Sequence, residues 1–428
     1  MEEERPFGPA HVAAVVVGAI VGVGIFFTPA RLAQAVPTPA WIIGIWLLGA
    51  LATVTGALVF ADLGARWPRA GGLYVFLREG IGGPFGSALS FLYGWLQLLV
   101  VQPGAMAVIA VVLVDNASYA LGPIGPVART ACACGAIAIF TGANLLGLRT
   151  GGRVQLVMAA LKIAALAALI VVGAIWGRAS SLTASGAMPP GSWSSWVLFG
   201  LIPVLFTFGG AYHATFIAGS VRDPVRSVPL GIAAGIALVL VTYLGVNLAY
   251  LAVLGHGGLA SSASPAADTI AVAFGPSAGR VVALAIVVSA AGILNTVCLG
   301  FPFVIYAMAR DGVFFARAGR LDPRTGRPSL AVALQGATAC VAVIVGASRI
   351  DLLLAGIAFA DATFQAAIAV VHLRHHNRLV AGCIFLVFEL GVALGCLFRA
   401  PLESAYGAFA LVAGTIVYLA WRRRPTPK

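Results

Sequence analysis

Charge is scarce in this chain. Of its 428 residues only 9% are Asp, Glu, Lys or Arg, against roughly 25% in an ordinary soluble domain. With 61% apolar residues and a mean hydropathy of +1.01, that excludes a water-soluble globule. Short alternating segments of about ten residues, the mark of a membrane β-barrel, are missing too, so the spans are helical. The six cysteines (Cys132, Cys134, Cys298, Cys340, Cys383 and Cys396) all lie within apolar runs. There they act as small hydrophobes, which speaks against a disulfide framework. Cys132 and Cys134 are two apart and point to different sides of a helix, a poor metal arrangement. The acidic start MEEERPFGPA has no small-residue cleavage site, which argues against a cleaved signal peptide. Paired Asp, HExxH and Ser-His constellations at helical spacing are absent, which speaks against an intramembrane enzyme.

What the chain does have is length of apolar run. A helix crossing a hydrocarbon core of about 30 Å needs about 20 residues. Twelve runs qualify: 11–30, 41–65, 86–114, 127–146, 154–176, 196–218, 229–254, 277–307, 329–347, 351–372, 379–398 and 404–421. The net charge of +12 then distributes over the loops. With the N-terminus inside, nineteen Lys and Arg fall on inner loops and termini, and six (Arg31, Arg129, Arg178, Arg280, Arg349, Arg399) fall outside. Lys162 alone lies within a span. By the positive-inside rule this predicts a multi-pass protein of the cell (inner or plasma) membrane with both termini cytoplasmic. The basic balance is topology, and no nucleic acid is expected as a partner.

Two spans carry the same flaw at the same depth. The first meets Gly22-Val23-Gly24 about a dozen residues in, and the sixth meets Phe208-Gly209-Gly210. Each interior glycine costs about 1 kcal/mol relative to alanine in a helix. Glycine-interrupted spans at matching positions of two halves point to a transporter of inverted repeats that holds its substrate at the breaks. The predicted fold is therefore an all-α membrane protein of twelve spans: a five-plus-five inverted repeat with helices 1 and 6 broken, and two C-terminal helices. The expected boundaries are a cytoplasmic N-terminus at 1–10, repeats at 11–176 and 196–372, helices 11 and 12 at 379–421, and a basic tail at 422–428. A broken helix offers free amides on one half and free carbonyls on the other. An α-amino acid fits both: its carboxylate on the amides after Gly22, its ammonium toward carbonyls of the first half-helix and of the second break.

Several stretches carry a family resemblance: GVGIF (Gly22–Phe26) with Pro29, GALVFADLGARWPRAGGLYVFLREGIG (Gly56–Gly82) and FLYGW (Phe91–Trp95). To these add NLLGLRTGGRVQLVMAALK (Asn144–Lys162), RDPVRSVPLGI (Arg222–Ile232), YLGVNLAYL (Tyr243–Leu251) and YAMARDG (Tyr306–Gly312). Across spans 1 to 9 the chain resembles the amino acid, polyamine and organocation transporter superfamily, most closely its L-type amino acid transporter branch. The resemblance implies the ten-helix inverted repeat of the bacterial leucine transporter plus two helices, amino acids as substrates, exchange or proton coupling, and no cofactor. GVGIF runs on without the GK[ST] of a phosphate-binding loop. It also implies that the ammonium of Lys162 replaces a sodium ion by bonding carbonyls of the broken first span. Departures cluster at the site. Val23 stands where the family commonly has Ser or Thr, Ala211-Tyr212 follow the second glycine pair, and Gly219-Ser220 stand in place of an acidic pair. Phe303 stands where an arginine is common.

The candidate substrate residues are Ile20, Gly22, Val23, Gly24, Ile25, Phe208, Gly209, Gly210, Ala211 and Tyr212. Lys162, His213 and Asp361 are the coupling candidates, and protons the coupling ion. An ionisable residue within a span is a functional candidate by default. Glu389 lies outside the repeat and is expected to make a helix-pairing contact, and Asn144, Asn247 and Asn295 interhelical hydrogen bonds. Arg222, Asp223, Arg226, Arg310 and Asp311 suggest a cytoplasmic ion-pair gate. The expected function is secondary active amino acid transport by alternating access, independent of sodium. An amine or polyamine carrier would want carboxylates in the pocket, and none is adjacent in sequence to either break. A nutrient sensor that binds without translocating would want a signalling domain or partner, which such short termini do not supply.

Overall fold

The computed structural model describes residues 8–67, 72–146, 152–183, 191–210, 223–346, 349–375, 378–399 and 401–422. Every regular element among them is helical. Eight helical stretches are long and apolar enough to cross a bilayer: Pro39–Arg66, Gly83–Leu121, Pro126–Leu145, Arg226–Ser261, Pro276–Arg310, Ser329–Gly346, Ile350–His375 and Leu379–Phe398. Shorter apolar helices cover Lys162–Trp176, Trp193–Phe208, Pro265–Phe274 and Gly407–Ala420. The chain is thus an all-helical, multi-pass membrane protein.

In chain order the helices are α1 (Pro9–Ile20), α2 (Gly24–Ala35), α3 (Pro39–Arg66), α4 (Leu73–Ile81), α5 (Gly83–Leu96), α6 (Gln102–Leu121), α7 (Pro126–Leu145), α8 (Gly152–Trp176) and α9 (Trp193–Phe208). After these come α10 (Pro224–Ser261), α11 (Pro265–Phe274), α12 (Pro276–Gly300), α13 (Pro302–Arg310), α14 (Ser329–Gly346), α15 (Ile350–His375), α16 (Leu379–Arg399) and α17 (Pro401–Arg422). Proline writes many of the starts. It stands in the first turn of α1, α3, α7, α10, α11, α12 and α13, where its fixed φ suits the helix and its missing N–H is not needed.

The packing divides the helices. One group joins α1, α2, α3, α9 and α10, and another joins α6, α7, α12 and α14. Small residues make the first possible: a Cβ on Gly231 or Gly235 of α10 would come within 2.5–2.8 Å of Val12 and Val16 of α1, the small-xxx-small approach of membrane helices. Two features depart from the sequence reading. The loop expected after residue 254 contains α11, because Gly255 (φ 68°) turns α10 aside and Pro265 starts a new helix that Gly275 (φ 85°) ends. It is pinned by Ser264 and Asp268 to Asn116 and Tyr119 at the end of α6, with hydrogen bonds of 2.7 and 2.8 Å. The third span is continuous only through a π-helical segment, Gln97–Val101.

Candidate functional site

The first span breaks where its glycines stand. α1 ends at Ile20, residues 21–23 leave the helix, and α2 begins at Gly24. At the second break α9 ends at Phe208, followed by Gly209 and by Gly210 at φ 108°, a left-handed conformation that glycine adopts without penalty. Ala211, Tyr212 and His213 lie outside the described residues. Both breaks face one cavity of about 210 Å³, lined by Ile20, Gly22, Val23 and Gly24 from the first and Phe208, Gly209 and Gly210 from the second. A dry cavity of about 150 Å³ suffices to bind benzene. Ile25, also expected at the site, is fully buried and does not line it.

The two ends of the first break differ in their state. On the carbonyl side the protein supplies its own donors. The Tyr243 hydroxyl donates to the Ile20 carbonyl at 2.8 Å, and the Lys162 ammonium to that of Val21 at 3.4 Å. Lys162 therefore sits against the broken span. On the amide side α2 has no side-chain cap at Val23, which leaves the first amides of α2 to a ligand or to water. Around Phe208 stands an aromatic group whose other members, Trp46 and Tyr243, sequence reasoning did not place at the site. Trp46, Phe208 and Tyr243 meet edge-on or tilted with ring centroids 5.5–5.6 Å apart. Its signal was present: a tyrosine in an apolar run needs a partner for its hydroxyl.

Gly24 has a second role. A Cβ there would lie 2.6–2.8 Å from Thr207 of α9, whereas one on Gly22 would meet nothing closer than 3.6 Å. Gly24 is a packing glycine as well as a lining one, and Gly22 is the one whose smallness the packing does not require.

The cavity lining also includes Asp361 of α15 and Glu389 of α16, far from both breaks in sequence. No carboxylate is adjacent in sequence to either break, but α15 and α16 fold back against the cavity and bring these two to its lining. The π segment equips this part of the lining. It places Gln97 and Gln102, five apart, on one face, so that Gln102 Nε2 donates to Gln97 Oε1 at 3.0 Å. Gln97 Nε2 in turn donates to Asp361 Oδ1 at 3.4 Å, and Gln365 donates to Oδ2. Glu389, expected to pair helices, is 5% exposed and accepts no hydrogen bond from the described residues.

Other polar expectations divide. Asn144 Nδ2 donates to Asn295 Oδ1 across α7 and α12 at 2.8 Å, but Asn247 bonds only the Tyr243 carbonyl of its own helix. Among the described residues, no two members of the expected gate form an ion pair with each other. Arg222 lies outside the described residues, and Asp311 pairs with Arg78 and accepts from Tyr74 of α4 at 2.7 Å. Burial, and then that hydrogen bond, push the Tyr74 hydroxyl pKa up. The short helix α4, unforeseen as a helix, brings these partners to Asp311.

Relatives match over most of the chain. It is 27% identical to the serine/threonine exchanger SteT of Bacillus subtilis (strain 168), over 80% of this chain and 77% of that one. It is 30% identical to the rat b(0,+)-type amino acid transporter 1 (Rattus norvegicus), over 78% and 68% of the two chains. To the human large neutral amino acids transporter small subunit 2 the identity is 26%, over 72% and 58%. The family model described as amino acid permease spans residues 7–421, and the chain belongs to that family of transporters.

Proposed function

We propose that the protein is a secondary active transporter that carries amino acids across the cell membrane by alternating access, by exchange or proton coupling and without sodium. In this reading it has twelve spans. α1 and α2 form the first, and α9 opens the sixth. Residues 11–176 and 196–372 are inverted five-helix repeats, 379–421 is an appended pair, and both termini are cytoplasmic. The single observation that carries the reading is that both helix breaks face one cavity. The substrate carboxylate takes the amides after Gly22, and Val23, Gly24 and Ile25 shape that end. Ile20 and Phe208 to Gly210, with Ala211 and Tyr212, form the rest of the pocket. Lys162 serves as a fixed cation at the carbonyls of α1, with Asp361 and His213 as proton-coupling groups. The three relatives named above are all amino acid transporters or exchangers by name, which supports the substrate class.

The test is uptake into proteoliposomes preloaded with single amino acids. Accumulation of labelled amino acid by counterflow, equal in sodium and choline buffers, is the expected result. Binding of amino acids without any flux would replace transporter by sensor.

A further inference from the structure

The carboxylate end of the cavity is unbalanced. Asp361 and Glu389 line it, and among the described residues that line it there is no Lys, Arg or His. Lys162 is engaged with Val21 and is not part of the lining. Asp361 receives hydrogen bonds from Gln97 and Gln365, but Glu389, 5% exposed, receives none from the described residues. A buried carboxylate with neither donor nor counter-ion is costly, and the cost is relieved when a ligand brings the partner. The same lining includes the apolar side chains of Ile109, Ile293, Val297, Ile357, Phe385 and Val392. Such walls suit a methylene chain that ends in a charge.

We propose that Glu389, with Asp361 beside it, binds a positive charge at the end of the substrate's side chain, so that the amino acid transported is a cationic one such as lysine. The inference rests on the amino acid transporter reading and deepens it. The substrate spans the cavity: carboxylate at the amides of α2, alkyl stem along the apolar walls, terminal ammonium between the two carboxylates. Gln97 and Gln365 hold Asp361 in place, and Glu389 offers all its lone pairs.

The experiment compares binding to the purified full-length protein of L-lysine, of L-norleucine, which has the same skeleton without the ammonium, and of cadaverine, which is lysine without its carboxylate. Each is measured in sodium and in choline buffer. Lysine is expected to bind at least tenfold more tightly than norleucine in both buffers, and cadaverine more weakly than lysine. Glu389→Gln should lower the preference for lysine over norleucine at least tenfold, and Asp361→Asn should lower it as well. Norleucine binding as tightly as lysine overturns the proposal while leaving amino acid transport standing. So does a preference that survives in Glu389→Gln. Norleucine binding that requires sodium overturns it too, by assigning the carboxylates to an inorganic cation. Cadaverine equal to lysine would keep the cation site and remove the amino acid reading. The wild-type comparison alone decides the proposal if neither variant folds.

Discussion

Gly22 and Gly24 lie two residues apart in the first break, yet the structure assigns their loss to different assays. A methyl group on Gly24 would lie 2.6–2.8 Å from three atoms of Thr207. Thr207 cannot simply turn away: its hydroxyl donates to the Pro203 carbonyl at 2.8 Å and meets the Thr28 hydroxyl at 2.6 Å. Overpacking of this kind costs about 1–3 kcal/mol, so Gly24→Ala should unfold at lower temperature in detergent, whatever its effect on ligand. At Gly22 the nearest atoms to an added Cβ would be 3.6 Å away and φ is not positive, so a Cβ is accommodated without displacement. Gly22→Val should therefore fold as wild type while its γ carbons stand in front of the amides of α2. Losing one charge-assisted hydrogen bond costs about 1.5–3 kcal/mol, which corresponds to roughly a 10- to 150-fold weaker Kd. Thermal unfolding and equilibrium binding of a labelled amino acid, run side by side on both variants, separate the effects. Unchanged affinity in Gly22→Val would show that the ligand does not sit at the first break. Full stability in Gly24→Ala would refute the packing argument.

Three further outcomes are expected. Lys162→Met should lose uptake in proteoliposomes because a thioether cannot donate to the Val21 carbonyl, and Lys162→Arg should not restore it, since a planar guanidinium differs in donor geometry; full activity in Lys162→Met, or strict sodium dependence of the wild type, would end the fixed-cation reading. Tyr243→Phe removes the donor to Ile20 and leaves a buried carbonyl short of a partner, at about 1–3 kcal/mol; its thermal stability should fall, and an unchanged melting point would mean that water or another donor replaces the hydroxyl. Single cysteines at Gly326 and Gly257, in a cysteine-free background, should be labelled by an impermeant reagent from opposite sides of the membrane, and labelling of both from outside would refute the twelve-span topology.

The elements legible in the sequence are those fixed by local chemistry. Hydropathy located the long apolar helices but not α4 or α11, and glycines at 22, 24, 209 and 210 marked where α1 and α9 end, because backbone that leaves a helix inside a membrane needs residues that tolerate it. Lys162 stood out as a lysine deep in a span, while its bond to a carbonyl of the first span was legible only through the family resemblance. What stayed hidden depends on how distant spans meet. Nothing local to Glu389 says that α16 turns it toward the cavity, and Asp311 could not be assigned to Arg78 before α4 was known to be a helix. The π segment is hidden for another reason. Its effect is to move Gln97 and Gln102 onto one face, and an ordinary helical period would have sent them to different ones.

The polarity of the site follows from which groups are already engaged. Read from the breaks alone, the ligand's positive charge belongs at the carbonyls of α1. Those carbonyls are occupied, Ile20 by Tyr243 and Val21 by Lys162, and although each keeps a second lone pair, an approaching cation meets the Lys162 ammonium there. Two like charges about 4 Å apart near a protein surface repel by about 4 kcal/mol, more than a single hydrogen bond to a carbonyl returns. A zwitterionic head group tolerates this position, since its carboxylate and ammonium nearly cancel and the amides of α2 favour the negative end. An isolated side-chain cation does not. It is driven instead toward Asp361 and Glu389, at the end of the cavity that has carboxylates and, among the described residues, no cation. A substrate entering the other way round would set its carboxylate against two carboxylates and its lone cation against Lys162. On the proposal that the substrate is a cationic amino acid, the same pair of features that would select its charged side chain would therefore also fix the direction in which it lies.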